Sequence, residues 1–208
     1  MATSLLDLPT ELRLEVYKYF LVPGCSLEPS IEPIFRTRNF IHPEILSTNS
    51  TVFYEAREVL YSANVFDFIH SFPMSPDVQM KFLEKIGTRS AWYLRHVCID
   101  FPGLQHLERD EDLSQDSVRI FSKLTAECVN LRKIEIGAHS AVELEEFLAG
   151  LEGTECERVL ATIDSRFKAM PSKPKVIIQL LEELPIPRVR EQMKNLGWTI
   201  KLVNSSAL

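Results

Sequence analysis

Seven glycines in 208 residues leave little material for phosphate-cradling loops. The patterns that need them are missing: there is no G-x-x-x-x-G-K-[ST], no G-x-G-x-x-G behind a strand and no G-x-S-x-G elbow. Four cysteines (Cys25, Cys98, Cys128, Cys156) are scattered without a C-x-x-C pair, which excludes a disulfide framework and the usual zinc-finger spacing. Free thiols in a reducing, cytoplasmic or nuclear compartment are the expectation. The opening Met1-Ala2-Thr3-Ser4-Leu5-Leu6-Asp7 lacks a signal-peptide core. No run approaches the roughly 18 apolar residues of a membrane span, so a soluble chain without a membrane partner is expected. Concentrated basic charge is absent too. The net charge is −6, and short groups such as Arg36-Thr37-Arg38 or Lys168, Lys173 and Lys175 are diluted by acidic neighbours. Sequence-independent affinity for phosphates needs clustered Lys and Arg, so no nucleic-acid partner is expected.

What is present is an ordinary globular composition, 45% hydrophobic and 25% charged, long enough for one sizeable domain. Around Leu8-Pro9 a helix begins, in which Leu8, Leu12, Val16, Tyr19 and Phe20 recur at helical spacing down to Leu21, and Pro23-Gly24 ends the pattern. A long loop holding Pro29 and Pro33 follows, with room for a strand near Ile34-Phe35 or Phe40-Ile41. Pro43 opens the clearest helix, striped by Ile45, Leu46, Asn49, Val52, Phe53, Ala56, Val59 and Leu60. Val65 to Phe68 reads as a short strand. A helix begins at Ser75-Pro76-Asp77 and stops at Gly87.

From there strands and helices alternate. Strands are predicted over residues 94–101, 131–136, 175–181 and 198–203, and helices over 116–128, 141–151, 155–170 and 187–196. Strands separated by helices imply crossovers and a mainly parallel sheet. The fold class is therefore α/β, a helical N-terminal part packed on a mainly parallel sheet with crossover helices. Residues 1–70 form the helical region with its short strand, and 71–208 an α/β region continuous with it. Two strands open alike, Tyr93-Leu94-Arg95-His96-Val97 and Asn130-Leu131-Arg132-Lys133-Ile134, faintly in the manner of leucine-rich repeats; half-buried strands entered from helices also read this way.

The segment Leu5-Leu6-Asp7-Leu8-Pro9-Thr10-Glu11-Leu12-Arg13-Leu14-Glu15-Val16 resembles the opening helix of F-box domains. The stretch from Ile45 to Phe66 is similar to a recurring segment of fungal F-box-like proteins, a family carrying two Glu-x-Arg motifs, which stand here as Glu11-Leu12-Arg13 and Glu55-Ala56-Arg57. The resemblance covers the first third of the chain and departs from the ordinary F-box in the long loop between the two helices. It implies docking of a Skp-type adaptor of a cullin ubiquitin ligase through Leu5, Leu6, Leu8, Pro9, Leu12 and Leu14, with the C-terminal region choosing a target. The bland alternative is that these side chains pack on the second helix. On that division, Leu12, Val16 and Phe20 would be claimed by the helix, and Leu5, Leu6, Pro9 and Leu14 left exposed. Glu and Arg two apart on a helix cannot pair with each other. The motifs are therefore expected either to exchange partners as structural ion pairs, Glu11 with Arg57 and Glu55 with Arg13, or to remain solvated.

No catalytic constellation is legible, and neither enzyme nor cofactor is implied. His96 and Cys98 share a strand face, a spacing two metal ligands could use, but no third ligand is near in sequence, so no metal is expected. The run from Glu108 to Asp112 reads as a solvated loop. The alternative function is a small-ligand site beyond the carboxyl ends of the strands, near Phe101-Pro102-Gly103 and Gly137-Ala138-His139-Ser140.

Overall fold

A computed structural model describes residues 4–30, 41–69, 76–103, 113–182 and 186–204. The strand expected near Ile34-Phe35, the basic group at Arg36, Ser75 and the carboxylate run from Glu108 lie outside these residues. After a single 3₁₀ turn at Leu5–Asp7 come α1 (Thr10–Leu21), a second 3₁₀ turn at Pro43–Ser47, and α2 (Ser50–Ala63). Then β1 (Val65–Asp67), α3 (Pro76–Ala91), β2 (His96–Ile99), α4 (Gln115–Glu127) and β3 (Lys133–Ile136) follow. The chain continues through α5 (Ala138–Ala149), α6 (Gly153–Lys168), β4 (Lys175–Leu181), α7 (Pro187–Asn195) and β5 (Thr199–Val203). The protein is α/β, and no helix among the described residues is long and apolar enough to cross a membrane.

Of the boundaries that differ from those expected, two have a clear local cause. Pro43 opens a 3₁₀ turn, and α2 starts only after Asn49, which is extended and accepts a hydrogen bond from Val52 N at 3.0 Å. An asparagine satisfies the free N–H groups of a first turn better than it packs in an apolar stripe. Gly87, at φ +71°, does break α3, and a further helical turn follows it up to Ala91.

Among the described residues, five strands run parallel in one sheet in the order β1-β2-β3-β4-β5. Every crossover advances the chain in the same direction, so the order contains no reversal. The register sets Phe66, Val97, Ile134 and Val176 in one row and Ile99, Ile136, Ile178 and Ile200 in another. Successive strand residues point to opposite faces, so these rows share one face, and all but the edge residue Ile200 are buried. Phe82 of α3 meets Phe66 there with ring centroids 5.5 Å apart, and Phe121 of α4, Phe167 of α6 and Trp198 continue the layer. The opposite face is polar: Asp67, Cys98, Glu135, Ile177 and Thr199 form one row, His96, Lys133 and Lys175 the row before it, and Gln179 and Lys201 stand in the row beyond.

One buried cluster runs from Tyr17 to Trp198. β1 belongs to the first third of the chain yet pairs with β2, and Leu27 caps its outer edge by donating to Val65 O and accepting from Asp67 N, both at 2.8 Å. The helical region and the α/β region thus share a sheet and a core.

Candidate partner-binding face and a polar row on the sheet

The N-terminal face is built on a capped turn. Ser4 N donates to Asp7 Oδ2 at 2.8 Å and Ser4 Oγ accepts from Leu6 N at 3.3 Å, closing a capping box on the first 3₁₀ turn. Pro9 then serves as the N-cap of α1, its carbonyl accepting from Leu12 N and Arg13 N at 3.1 Å each.

Arg13 fastens this turn to α2. Its Nε donates to Glu55 Oε2 at 2.9 Å and Nη2 to Glu55 Oε1 at 2.5 Å, a two-pronged pair, while Nη1 donates to Leu8 O and Nη2 also to Thr10 Oγ1. Tyr17, fully buried, donates its hydroxyl to Glu55 Oε2 at 3.0 Å. The bond from Arg13, helped by that of Tyr17 against the opposing effect of desolvation, holds the Glu55 carboxyl below its ordinary range. Farther along, Asn64 Nδ2 donates to Leu21 O at 2.9 Å and Leu60 O at 2.8 Å, joining the ends of the two helices.

These contacts seat α1 on α2 by Arg13, Tyr17 and Leu21, one residue around from the expected stripe. Leu12 is therefore 53% exposed instead of buried, while Val16 and Phe20 are half-buried. On α2, Val52 and Val59 are buried, but Phe53 is exposed. Of the residues assigned to a partner, Leu6, Leu8, Pro9 and Leu12 are exposed; Leu5 and Leu14 are half-buried against the core, contrary to their expected exposure. Tyr19, expected in the apolar stripe with Leu12, Val16 and Phe20, instead extends the outer face at 84% exposure.

The reciprocal ion pair is half-formed. Glu55 takes Arg13, but Glu11 is exposed and the Arg57 guanidinium stacks over Phe53, Tyr54 and Tyr93 at 5.1–5.7 Å from the ring centroids. The reason is rotational. Residues two apart on a helix differ by about 200° around the axis, so once Arg13 and Glu55 face each other, Glu11 and Arg57 face away. The sequence reading also missed Tyr17 and Asn64; Tyr17 was accessible to it, standing four residues after Arg13 on the same helix face.

The alternative ligand site has a physical counterpart. Phe101 N donates to Ser140 Oγ at 2.8 Å, bringing the two expected segments together. Beside them lies a cleft of about 330 Å³ between the end of β2 and α4, lined in part by Asp100, Phe101, Gly103, Ser114 and Ser117. Its serines are already engaged, Ser114 Oγ with Ser117 Oγ at 2.8 Å and Ser117 Oγ with Gly103 N at 2.9 Å.

On the polar sheet face, the third donor that His96 and Cys98 lacked is Glu135, which the register places directly beside Cys98. Glu135 Oε1 lies 3.0 Å from His96 Nε2 and 3.6 Å from Lys133 Nζ, and Oε2 accepts from Gln179 Nε2 at 3.0 Å. The His96 contact, opposed by burial and reinforced by Gln179, holds the Glu135 carboxyl down at about 2. Burial, and after it the carboxylates of Asp67 and Glu135, push the Cys98 thiol well up. Compared with protein-family models, with curated proteins and with solved structures, the chain matches none.

Proposed function

We propose that this chain is a non-enzymatic, F-box-like protein-interaction module and a substrate receptor for a cullin-type ubiquitin ligase. Its N-terminal turn and α1 dock a Skp-type adaptor, and its α/β region holds the target. The reading is supported chiefly by the apolar row Leu6, Leu8, Pro9 and Leu12, which stays exposed because polar contacts seat the other side of α1. An interface of standard size covers about 800 Å² per partner around a preformed apolar centre. The row supplies that centre on a rigid support, since Arg13 and Asn64 fix α1 at both ends.

Ligand binding in the cleft is the weaker reading. Ligand crevices of doubly wound sheets open where the strand order reverses, and this order never reverses. The serines of the cleft bond one another instead of converging on a ligand.

The test is pull-down of a purified Skp-type adaptor by the full chain and by the double variant Leu6→Glu, Leu12→Glu. Both side chains are exposed, so thermal unfolding should be unchanged. Two central contacts each worth more than 1 kcal/mol should weaken binding by roughly 100-fold. Undiminished binding by the double variant, or no binding by the native chain, removes the proposal.

A further inference from the structure

We propose that His96, Cys98 and Glu135 form a binding site for a divalent transition-metal ion of the zinc class. This inference concerns a different face of the molecule and does not rest on the adaptor reading. One ligand atom from each of the three residues lies within 4.8 Å of the other two. That spread is close to what two bonds of about 2.0–2.3 Å to a shared ion allow.

The arrangement is set by backbone and not by chance approach of long side chains. His96 and Cys98 are two residues apart on β2 and so point to the same face, and Cys98 pairs in register with Glu135 on β3. Strands in the middle of a sheet hold their Cβ positions well, so closing the ligands onto an ion takes side-chain rotation alone. Imidazole, thiolate and carboxylate together match zinc and its neighbours better than magnesium or calcium, which favour oxygen alone. Three protein ligands suffice when water completes a tetrahedral shell.

A second observation points the same way. His96 Nε2 is buried and, although 3.0 Å from Glu135 Oε1, makes no aligned hydrogen bond there. The contact thus lacks the alignment of a directed hydrogen bond, and an ion between the two atoms would bond both. Gln179 Nε2 already orients Glu135 through Oε2, leaving Oε1 toward His96, which is the outer-shell role that metal-bound carboxylates require. Lys133, a competing cation at 3.6 Å, has a 39% exposed side chain and can turn to solvent. On coordination the Cys98 thiol proton leaves to water as the sulfur–metal bond forms, and no oxidant or reductant is involved.

The experiment uses the full chain, stripped with chelator under reducing conditions and titrated with cobalt(II), then with zinc in competition. The expected result is one equivalent bound, with a near-ultraviolet thiolate-to-cobalt charge-transfer band and visible bands of tetrahedral intensity, both erased by zinc. Cys98→Ser should abolish the charge-transfer band, and His96→Ala should weaken affinity at least 100-fold. Gln179→Ala, which leaves all three ligands in place, should weaken it by about 10-fold. Absence of the band from the native chain, or full retention of it in Cys98→Ser, overturns the site. Should Cys98→Ser fail to fold, the Gln179→Ala and His96→Ala affinities decide, and unchanged values in both overturn it equally.

Discussion

Asn64 offers the sharpest test of how α1 is held. Its side chain is 3% exposed, and its Nδ2 donates to Leu21 O and Leu60 O, one carbonyl in each helix, at 2.9 and 2.8 Å. Removing both bonds by Asn64→Ala should cost about 1 kcal/mol apiece. Against this, Asn64 Oδ1 is buried without a hydrogen-bond partner, and deleting it recovers part of a desolvation penalty of about 1 kcal/mol. The net expectation is a loss of roughly 1–2 kcal/mol. Asn64→Asp is nearly isosteric but puts an oxygen where the amide nitrogen donates, facing two carbonyls. An uncompensated buried charge costs about 3–5 kcal/mol, so the aspartate should be worse than the alanine despite its closer shape. Urea unfolding at neutral pH, followed by tryptophan fluorescence, gives both values. If aspartate and alanine destabilise equally, or aspartate less, the two-carbonyl clamp is not what holds the helix ends together.

Two further outcomes follow from the ion pairs. Because Glu55 has a folded pKa below its unfolded value of about 4.3, its pairing stabilises above that value and the benefit is lost as pH falls through the lower folded one. The stability gap between the native chain and Glu55→Gln should therefore narrow below about pH 4.3, and a gap constant down to pH 2 or so would refute the pairing's role. Glu145 is 1% exposed and meets Arg190 Nε at 2.6 Å and Nη2 at 3.1 Å, with Ile186 N as a further donor. Arg190→Ala strands that carboxylate and should cost about 3–5 kcal/mol in denaturant unfolding, whereas a loss under 1 kcal/mol would mean water reaches Glu145.

Much of the sheet is legible in the sequence. The strand over residues 175–181 coincides with β4, because a run of β-branched and aliphatic residues between two proline-marked helices admits little else. The polar row was also within reach, though unread. Superposing the two similar strand openings sets Leu94 on Leu131 and Val97 on Ile134, and one residue further it sets Cys98 on Glu135, the pairing found in the sheet. Spacing along the chain hides it, because Glu135 lies 37 residues after Cys98 and is brought near by a crossover. The strand order itself left no trace in the sequence, since identical alternation of elements serves an order with or without a reversal.

The face that α1 buries is ambiguous in the sequence for a different reason. The helix is apolar on two sides: Leu12 and Tyr19 with Leu8 on one, Leu14, Tyr17 and Leu21 on the other. Hydrophobicity alone cannot choose between them, because either stripe would bury comparable carbon surface at about 25 cal/mol per Å². The choice falls to polar groups. Arg13 lies between Tyr17 and Leu8 in space, and only when its side turns inward does Glu55 gain a two-pronged partner and the Tyr17 hydroxyl an acceptor. Turning Leu12 inward instead would bring Glu55 against aliphatic carbon, and a buried unpaired carboxylate costs more than one leucine gains. The pairing of Arg13 with Glu55 thus does more than fix register: it decides which of two apolar stripes faces solvent, and it is the one that carries Leu8, Leu12 and Tyr19.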